Sequence, residues 1–349
     1  MHSYFAKIPP VFLTLTLASA AGFAQEKKPM SQNPVVDGWY ADPEIAIYGD
    51  TYWIFPTYSH PFEEQLHLDA FSSKDLVTWT KHKNIIGNSE IKWLHKALWA
   101  PATIEKDGKY YLFFACNDTR PIDGTLTPES PDNPKYGGIG VAVADKPEGP
   151  YKDLLGKPLL PEFFNNAQPI DQFVFKYKNN YLMVYGGWGR CNIVRLADDF
   201  KSIVPFPDGD IAKDITPENY TEGPVMFERK GKWYFMWSEG NWTTDNYRVA
   251  YAIADTPFGP FKMIDFVLSA SDEIGAKGAG HHSVFNYPGT DDWYVCYHRR
   301  PAKNYGGDHR ETCIDRMYFN EDGTIKPIIM TNEGVEQRFL KKPKGKRGK

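Results

Sequence analysis

Cysteine is scarce in this 349-residue chain: only Cys116, Cys191, Cys296 and Cys313 occur, and none stands in a CxxC pair. That excludes a disulfide-stapled scaffold and gives no support to thiol or zinc chemistry. Cys296 and Cys313 are close enough in sequence to face each other across one hairpin, although free, buried thiols are the preferred reading. Long amphipathic runs at helical spacing are also missing, which excludes a helical protein. No excess of positive charge is available for nucleic acid. The net charge is -4 although the tail KKPKGKRGK from Lys341 carries six positive residues, so the body is more acidic than the whole. Residues 336–349 read as a basic, solvated end.

Only one apolar run is long, and it lies at the start. MHSYFAKIPPVFLTLTLASAAGFAQEKK places Lys7 before an apolar stretch from Val11 to Ala21 and small residues up to Ala24. This is the layout of a secretory signal peptide over residues 1–24, too short and wrongly flanked to span a membrane permanently. A mature protein exported to the periplasm or beyond the cell is the expectation.

What the sequence has in plenty is aromatic side chains, 15% of the residues, in an otherwise ordinary globular composition of 42% hydrophobic and 24% charged. They recur in a pattern. DPEIAIYGDTYWIFPTY from Asp42, APATIEKDGKYYLFFAC from Ala100, DQFVFKYKNNYLMVYGG from Asp171, GPVMFERKGKWYFMWSE from Gly223 and SVFNYPGTDDWYVCYHR from Ser283 share one layout. Each reads as an apolar strand, a polar turn and a second strand that opens on aromatics ten residues after the unit begins. A further shared pattern, AD-x-P followed by Gly-Pro, lies in GIGVAVADKPEGPYKDL from Gly138 and RVAYAIADTPFGPFKMI from Arg248. Copies separated by room for two more strands predict an all-β, five-bladed propeller over residues 33–335. A pair of β-sandwiches is the alternative, but it does not require the same hairpin five times.

The innermost strand of each propeller blade starts beside the central channel. Residues preceding each copied hairpin are therefore expected to converge: Asp42, Trp99 to Pro101, Asp171, Glu222, and His281 with His282. Carboxylates brought together raise one another's pKa, so one can stay protonated while another stays ionised. Cleavage of a glycosidic bond uses such an acid and base. A ring of acids with aromatics in an exported protein points to carbohydrate.

The same segments carry a family resemblance. NPVVDGWYADPEI, ALWAPATIEKDGKYYLFF, PIDQFVF, TEGPVMFERKGKWYFMWSEG and GAGHHSVFNYPGTDDWYVCYHRR, in that order from Asn33 to about Pro327, resemble glycoside hydrolase family 43. That family is the five-bladed group of arabinofuranosidases, xylosidases and arabinanases. The resemblance implies hydrolysis with inversion, Asp42 as general base, Glu222 as general acid, and Asp171 as the third acid that tunes and orients it. It implies that His281 faces a calcium or similar ion in the channel through a mostly water shell, and that no organic cofactor is used.

Two positions depart from the family pattern: Gln172 stands where Pro often follows the third acid, and His282 adds a second imidazole, placed here toward substrate. Trp99 and Arg299 are the remaining candidate substrate contacts, with packing and ion pairing as their respective alternatives. Arg300 is expected on the opposite face of its strand. Fructan-type hydrolases share the architecture, but their NDPNG, RDP and EC motifs are replaced here by ADPEI, PID and TEGP. A non-catalytic binding propeller would be expected to lose one of the three acids. The Pro-rich loop from Asn117 would wall the site and favour exo action. Terminal α-L-arabinofuranose is the first expected substrate, with β-xylose and β-galactofuranose as alternatives.

Overall fold

The computed structural model describes residues 28–119, 137–301 and 306–341, together with Met1 and Lys303. The expected signal peptide, most of the loop from Asn117, and the tail beyond Lys341 lie outside the described residues. No helix among the described residues is long and apolar enough to cross a membrane.

Five antiparallel sheets follow one another along the chain as blades I to V of a propeller. Their innermost long strands are Tyr40–Tyr48, Leu94–Lys106, Phe173–Tyr177, Glu222–Arg229 and His282–Asn286. Each is paired with the next strand through the copied hairpin. Successive residues of a strand point to opposite faces, and this accounts for the doubled aromatics. In blade I, Tyr52 packs toward blade V while Trp53 packs toward blade II. Trp233 and Tyr234 of blade IV divide in the same way between blades III and V. Four of the five hairpins thus supply one ring to each neighbour; in blade III the two places are taken by Tyr181 and Leu182. The five apolar clusters are the five seams between blades.

Alternation also settles the cysteines. Cys296 pairs with Ile314 and Tyr297 with Cys313, so the two thiols are one residue out of register. One faces the seam with blade I and the other the seam with blade IV. All four cysteines are buried and free.

The ring is closed by its two ends. The N–H groups of Ser31, Gln32 and Asn33 donate to the carbonyls of Val335, Glu333 and Asn332 at 2.8, 2.9 and 2.8 Å. Asn33 also donates its side-chain amide to Ile314 O, Asp315 Oδ2 and Thr331 O. Arg299 is spent on this seam. Its guanidinium donates to Thr331 O, Asn33 O and Asn332 Oδ1, and its Nε lies 3.6 Å from Glu311.

Candidate active site

Where the innermost strands begin, three blades carry the same irregularity. The pairing with the second strand skips from Ala41 to Glu44, from Trp99 to Ala102 and from Glu222 to Val225. Each gap holds a left-handed residue followed by proline: Asp42-Pro43, Ala100-Pro101 and Gly223-Pro224, with φ of 48°, 43° and 63°. This is a β-bulge, and it turns the inner end of the strand toward the axis. Asp171, with φ of 56°, continues the series in blade III. Glu222 therefore sits one residue earlier than Asp42 and Asp171, at the position of Trp99 and Ala41. The three acids are not equivalent by blade position, and the offset aims Glu222 differently from the other two.

Gln172 explains why blade III departs from the proline pattern. Its side-chain amide donates to Ala100 O, and to Phe113 O at 3.1 Å, tying blade III to blade II. Proline has no amide side chain with which to do this.

The pocket has a volume of about 460 Å³ counted to its open mouth, and is lined by Asp42, Phe62, Trp99, Ile170, Asp171, Glu222, Trp242 and Arg310. The three acids are brought together, and Trp99 stands in the wall, its indole N–H donating to Gln65 and its ring meeting Phe62 edge-on at 5.3 Å. His281 lies between two of the acids, Nδ1 being 3.6 Å from Asp42 Oδ1 and 3.4 Å from Asp171 Oδ2.

His282 and Arg299 do not reach the pocket, so the sequence reading misplaced both. His282 is buried with Nδ1 3.1 Å from Gly280 O, and burial beside charged His281 lowers its pKa to about 3. Arg299 is held in the closing seam as described. The pocket residues that sequence reading missed are Phe62, Ile170, Trp242 and Arg310. Tyr247, directly behind Glu222, was missed as well. Trp242 and Tyr247 lie in the loop SEGNWTTDNY, where spacing gives no direction for a side chain. Arg310 precedes the last strand, Glu311–Met317, in a stretch with no repeat to mark it.

The electrostatics separate the acids. Burial alone would raise Asp42, but the Arg310 guanidinium 3.2 Å away, the His298 ring beside it and the charge of His281 outweigh it. Asp42 is held well below the usual carboxylate range and stays ionised. Burial and the negative charge of Asp171 push Glu222 up to about 7, against the hydrogen bond from Tyr247. The charge of Asp42 raises Glu222 less than that of Asp171 does. His281 is lowered by burial but raised further by Asp171, Asp42 and Glu222, to about 9.

Asp171 is fixed by the backbone N–H of Gly223, 3.1 Å from its Oδ2. A side chain at Gly223 would meet Ser238 Oγ at 2.8 Å and sits at a φ that favours glycine. Gly280 is required for a different reason: a Cβ there would lie 1.7 Å from Tyr247 Cε1.

The side chains of the site do not form a cage for calcium, so an ion beside His281 would be held mostly by water, as expected from the sequence. Calcium takes six to eight oxygens, and His281, whose Nδ1 faces Asp42 and Asp171, could offer it only the other ring nitrogen. Among the described residues no three His, Cys, Asp or Glu side chains are grouped to hold a metal. No step below passes through one.

Known proteins match the chain at nearly full length. The family model described as Glycosyl hydrolases family 43 matches residues 31–325. A β-D-galactofuranosidase of Aspergillus niger is 43% identical over 322 residues, covering 88% of each chain. A β-xylosidase of Xylanibacter ruminicola is 26% identical over 83% of this chain and 97% of its own. A solved α-L-arabinofuranosidase of Clostridium thermocellum superposes with a TM-score of 0.66 at 27% identity, over 85% of this chain and 96% of that one.

Proposed function

Because this chain belongs to the glycosyl hydrolases of family 43, we propose that it removes terminal, non-reducing β-D-galactofuranose residues from glycans, with inversion at the anomeric carbon. The observation that carries the sugar assignment is the 43% identity to a β-D-galactofuranosidase, against 26% to the β-xylosidase. α-L-Arabinofuranose, the first expectation from the sequence, is the second reading. Its ring has the configuration of β-D-galactofuranose and differs by the shorter exocyclic arm, so a pocket built for one ring accepts the other's ring atoms.

In the proposed reaction Glu222, protonated up to about pH 7, gives its proton to the glycosidic oxygen as the bond from that oxygen to C1 breaks. Asp42, kept ionised by Arg310, takes a proton from water as the water oxygen bonds C1 from the opposite face. The products are the alcohol and a free sugar of inverted anomeric configuration. Inversion asks for roughly 6.5–9.5 Å between the two carboxyl groups to admit the water. The weaker action of Asp42 than of Asp171 on Glu222 is consistent with a base standing apart from the acid. Asp171 holds Glu222 in its protonated form and bonds the backbone beside it. A small pocket with Phe62, Trp99 and Trp242 in its walls supports exo action on one sugar ring.

The test is hydrolysis of 4-nitrophenyl β-D-galactofuranoside, α-L-arabinofuranoside and β-D-xyloside by the wild type and by Asp42→Ala and Glu222→Ala. The galactofuranoside should give the highest kcat/KM, both variants should lose most of it, and proton NMR should show the inverted anomer first. Preference for another sugar overturns the substrate reading. Full activity in either variant overturns that residue's role.

A further inference from the structure

Trp188 is 53% exposed, yet its backbone is held at a φ of 56°, a conformation that a bulky side chain adopts only under constraint. The constraint is visible in the loop Gly186–Arg190, which is bonded to the approach segments of two acids. Gly186 N–H donates to Ile170 O at 2.9 Å and Gly187 N–H to Gln168 O at 3.1 Å, just before Asp171. Gly189 N–H donates to Thr221 O at 3.1 Å, and Tyr220 donates its hydroxyl to Gly186 O at 2.6 Å, just before Glu222. The loop also lies against the pocket wall, since a Cβ on Gly187 would meet Ile170 Cδ1 at 2.7 Å. Trp188 is carried at the apex of this clamp, its ring 5.3 Å from that of Phe163 at 39°.

Core packing does not explain an exposed indole on a strained backbone. A surface fixed in register with the proton donor does. We propose that Trp188, propped by Phe163, is a stacking platform for the sugar on the leaving-group side of the scissile bond, presenting an aromatic face to the C–H face of that ring. The leaving oxygen is the one that Glu222 protonates, so the departing sugar lies on the side of the pocket to which this loop is tied. The proposal rests on the assignment of Glu222 as the acid, and it extends the site beyond the single terminal sugar.

Trp188→Gly is the informative variant, because glycine accepts the same φ; it should melt within about 2 °C of the wild type. Paired substrates read the platform: methyl β-D-galactofuranoside, methyl α-L-arabinofuranoside and methyl β-D-xyloside offer no leaving sugar, whereas trisaccharides ending in each sugar do. Trp188→Gly should lower kcat/KM about 5–10-fold on the trisaccharide that the enzyme cleaves and less than about twofold on the matching methyl glycoside, with Trp188→Phe restoring most of the loss. Retention of the two proteins on immobilised galactofuranan, arabinan and xylan needs no turnover and should be weaker for the glycine variant. Equal losses on both substrate types, or no difference from wild type in either assay, overturn the platform. A retention difference with cleavage of arabino- or xylo-substrates alone keeps the platform and overturns the sugar reading.

Discussion

The Tyr247 hydroxyl donates to Glu222 Oε1 across 2.9 Å, so the residue that must carry a proton is touched by a donor that favours its ionised form. Burial and Asp171 prevail over that donor, and the balance leaves the acid near 7. Each contributor can be removed in turn.

Tyr247→Phe removes the hydroxyl and keeps the ring. Glu222 then loses the bond that favours its charge, its pKa rises above about 7, and the protonated form persists to higher pH. The alkaline limb of kcat/KM should move upward in a profile from pH 5 to 9. A limb displaced to lower pH would show that the hydroxyl acts otherwise.

Asp171→Asn has the opposite sign. Without the neighbouring negative charge Glu222 falls below about 7, burial still holding it above its ordinary value of 4.5, and its proton is lost earlier as pH rises. At pH 7 kcat should fall by roughly 10-fold or more, since a drop of one to two pH units in the acid's pKa leaves only about a tenth to a hundredth of it protonated. Part of the loss should be recovered at pH 5. An unshifted alkaline limb would remove Asp171 from the tuning of the acid.

Arg310→Met tests the base. Asp42 works ionised, and that form is lost as pH falls through its depressed pKa. Removing the guanidinium raises that pKa, so the acid limb of kcat/KM should begin at higher pH, while Arg310→Lys should keep part of the effect. The same sign applies to stability: the contribution of the ion pair is present above the unfolded pKa of Asp42 and disappears on acidification. Identical acid limbs in wild type and Arg310→Met would contradict this.

Gly280→Ala forces a methyl group into the ring of Tyr247, which has no free space on that side. Overpacking of this kind costs about 1–3 kcal/mol. The melting midpoint should fall, and the folded fraction should show a displaced alkaline limb because Tyr247 no longer meets Glu222 as before. A variant that melts with the wild type would mean that the ring has somewhere to go.

Gln172→Pro would make blade III conform to the other bulges. It would also take the hydrogen-bond donor from two buried carbonyls, Ala100 O and Phe113 O. A cost of about 1–3 kcal/mol is expected, read by denaturant unfolding. Equal or greater stability would show that the pattern matters more than the two bonds.

The fold was readable because its signal is repeated. Tyr52-Trp53, Trp233-Tyr234 and Trp293-Tyr294 each send one ring to each adjoining seam, so the period-2 geometry of a strand is written five times in the same place. The three acids were readable as neighbours for the same reason, through their position at the strand entrances. Their relative aim was not. A bulge adds one residue to one strand, and counting back from the aromatics cannot tell whether the acid lies in the bulge, like Asp42, or before it, like Glu222. Arg310, Trp242 and Tyr247 were beyond reach because they act from segments without periodicity. Arg299 misled because a strand residue near a mouth can face the pocket or the seam, and the residues that claim it, Asn33, Thr331 and Asn332, are remote in sequence.

The seam between the first and last blades also joins residues remote in sequence. Asp42 stands in blade I, yet Arg310, which keeps it ionised, comes 268 positions later. Asp42 and Arg310 meet where the last blade lies against the first, the contact that residues 331–336 make with residues 30–33. On the proposed mechanism, a chain lacking the last blade would carry the base without the cation that keeps it ionised.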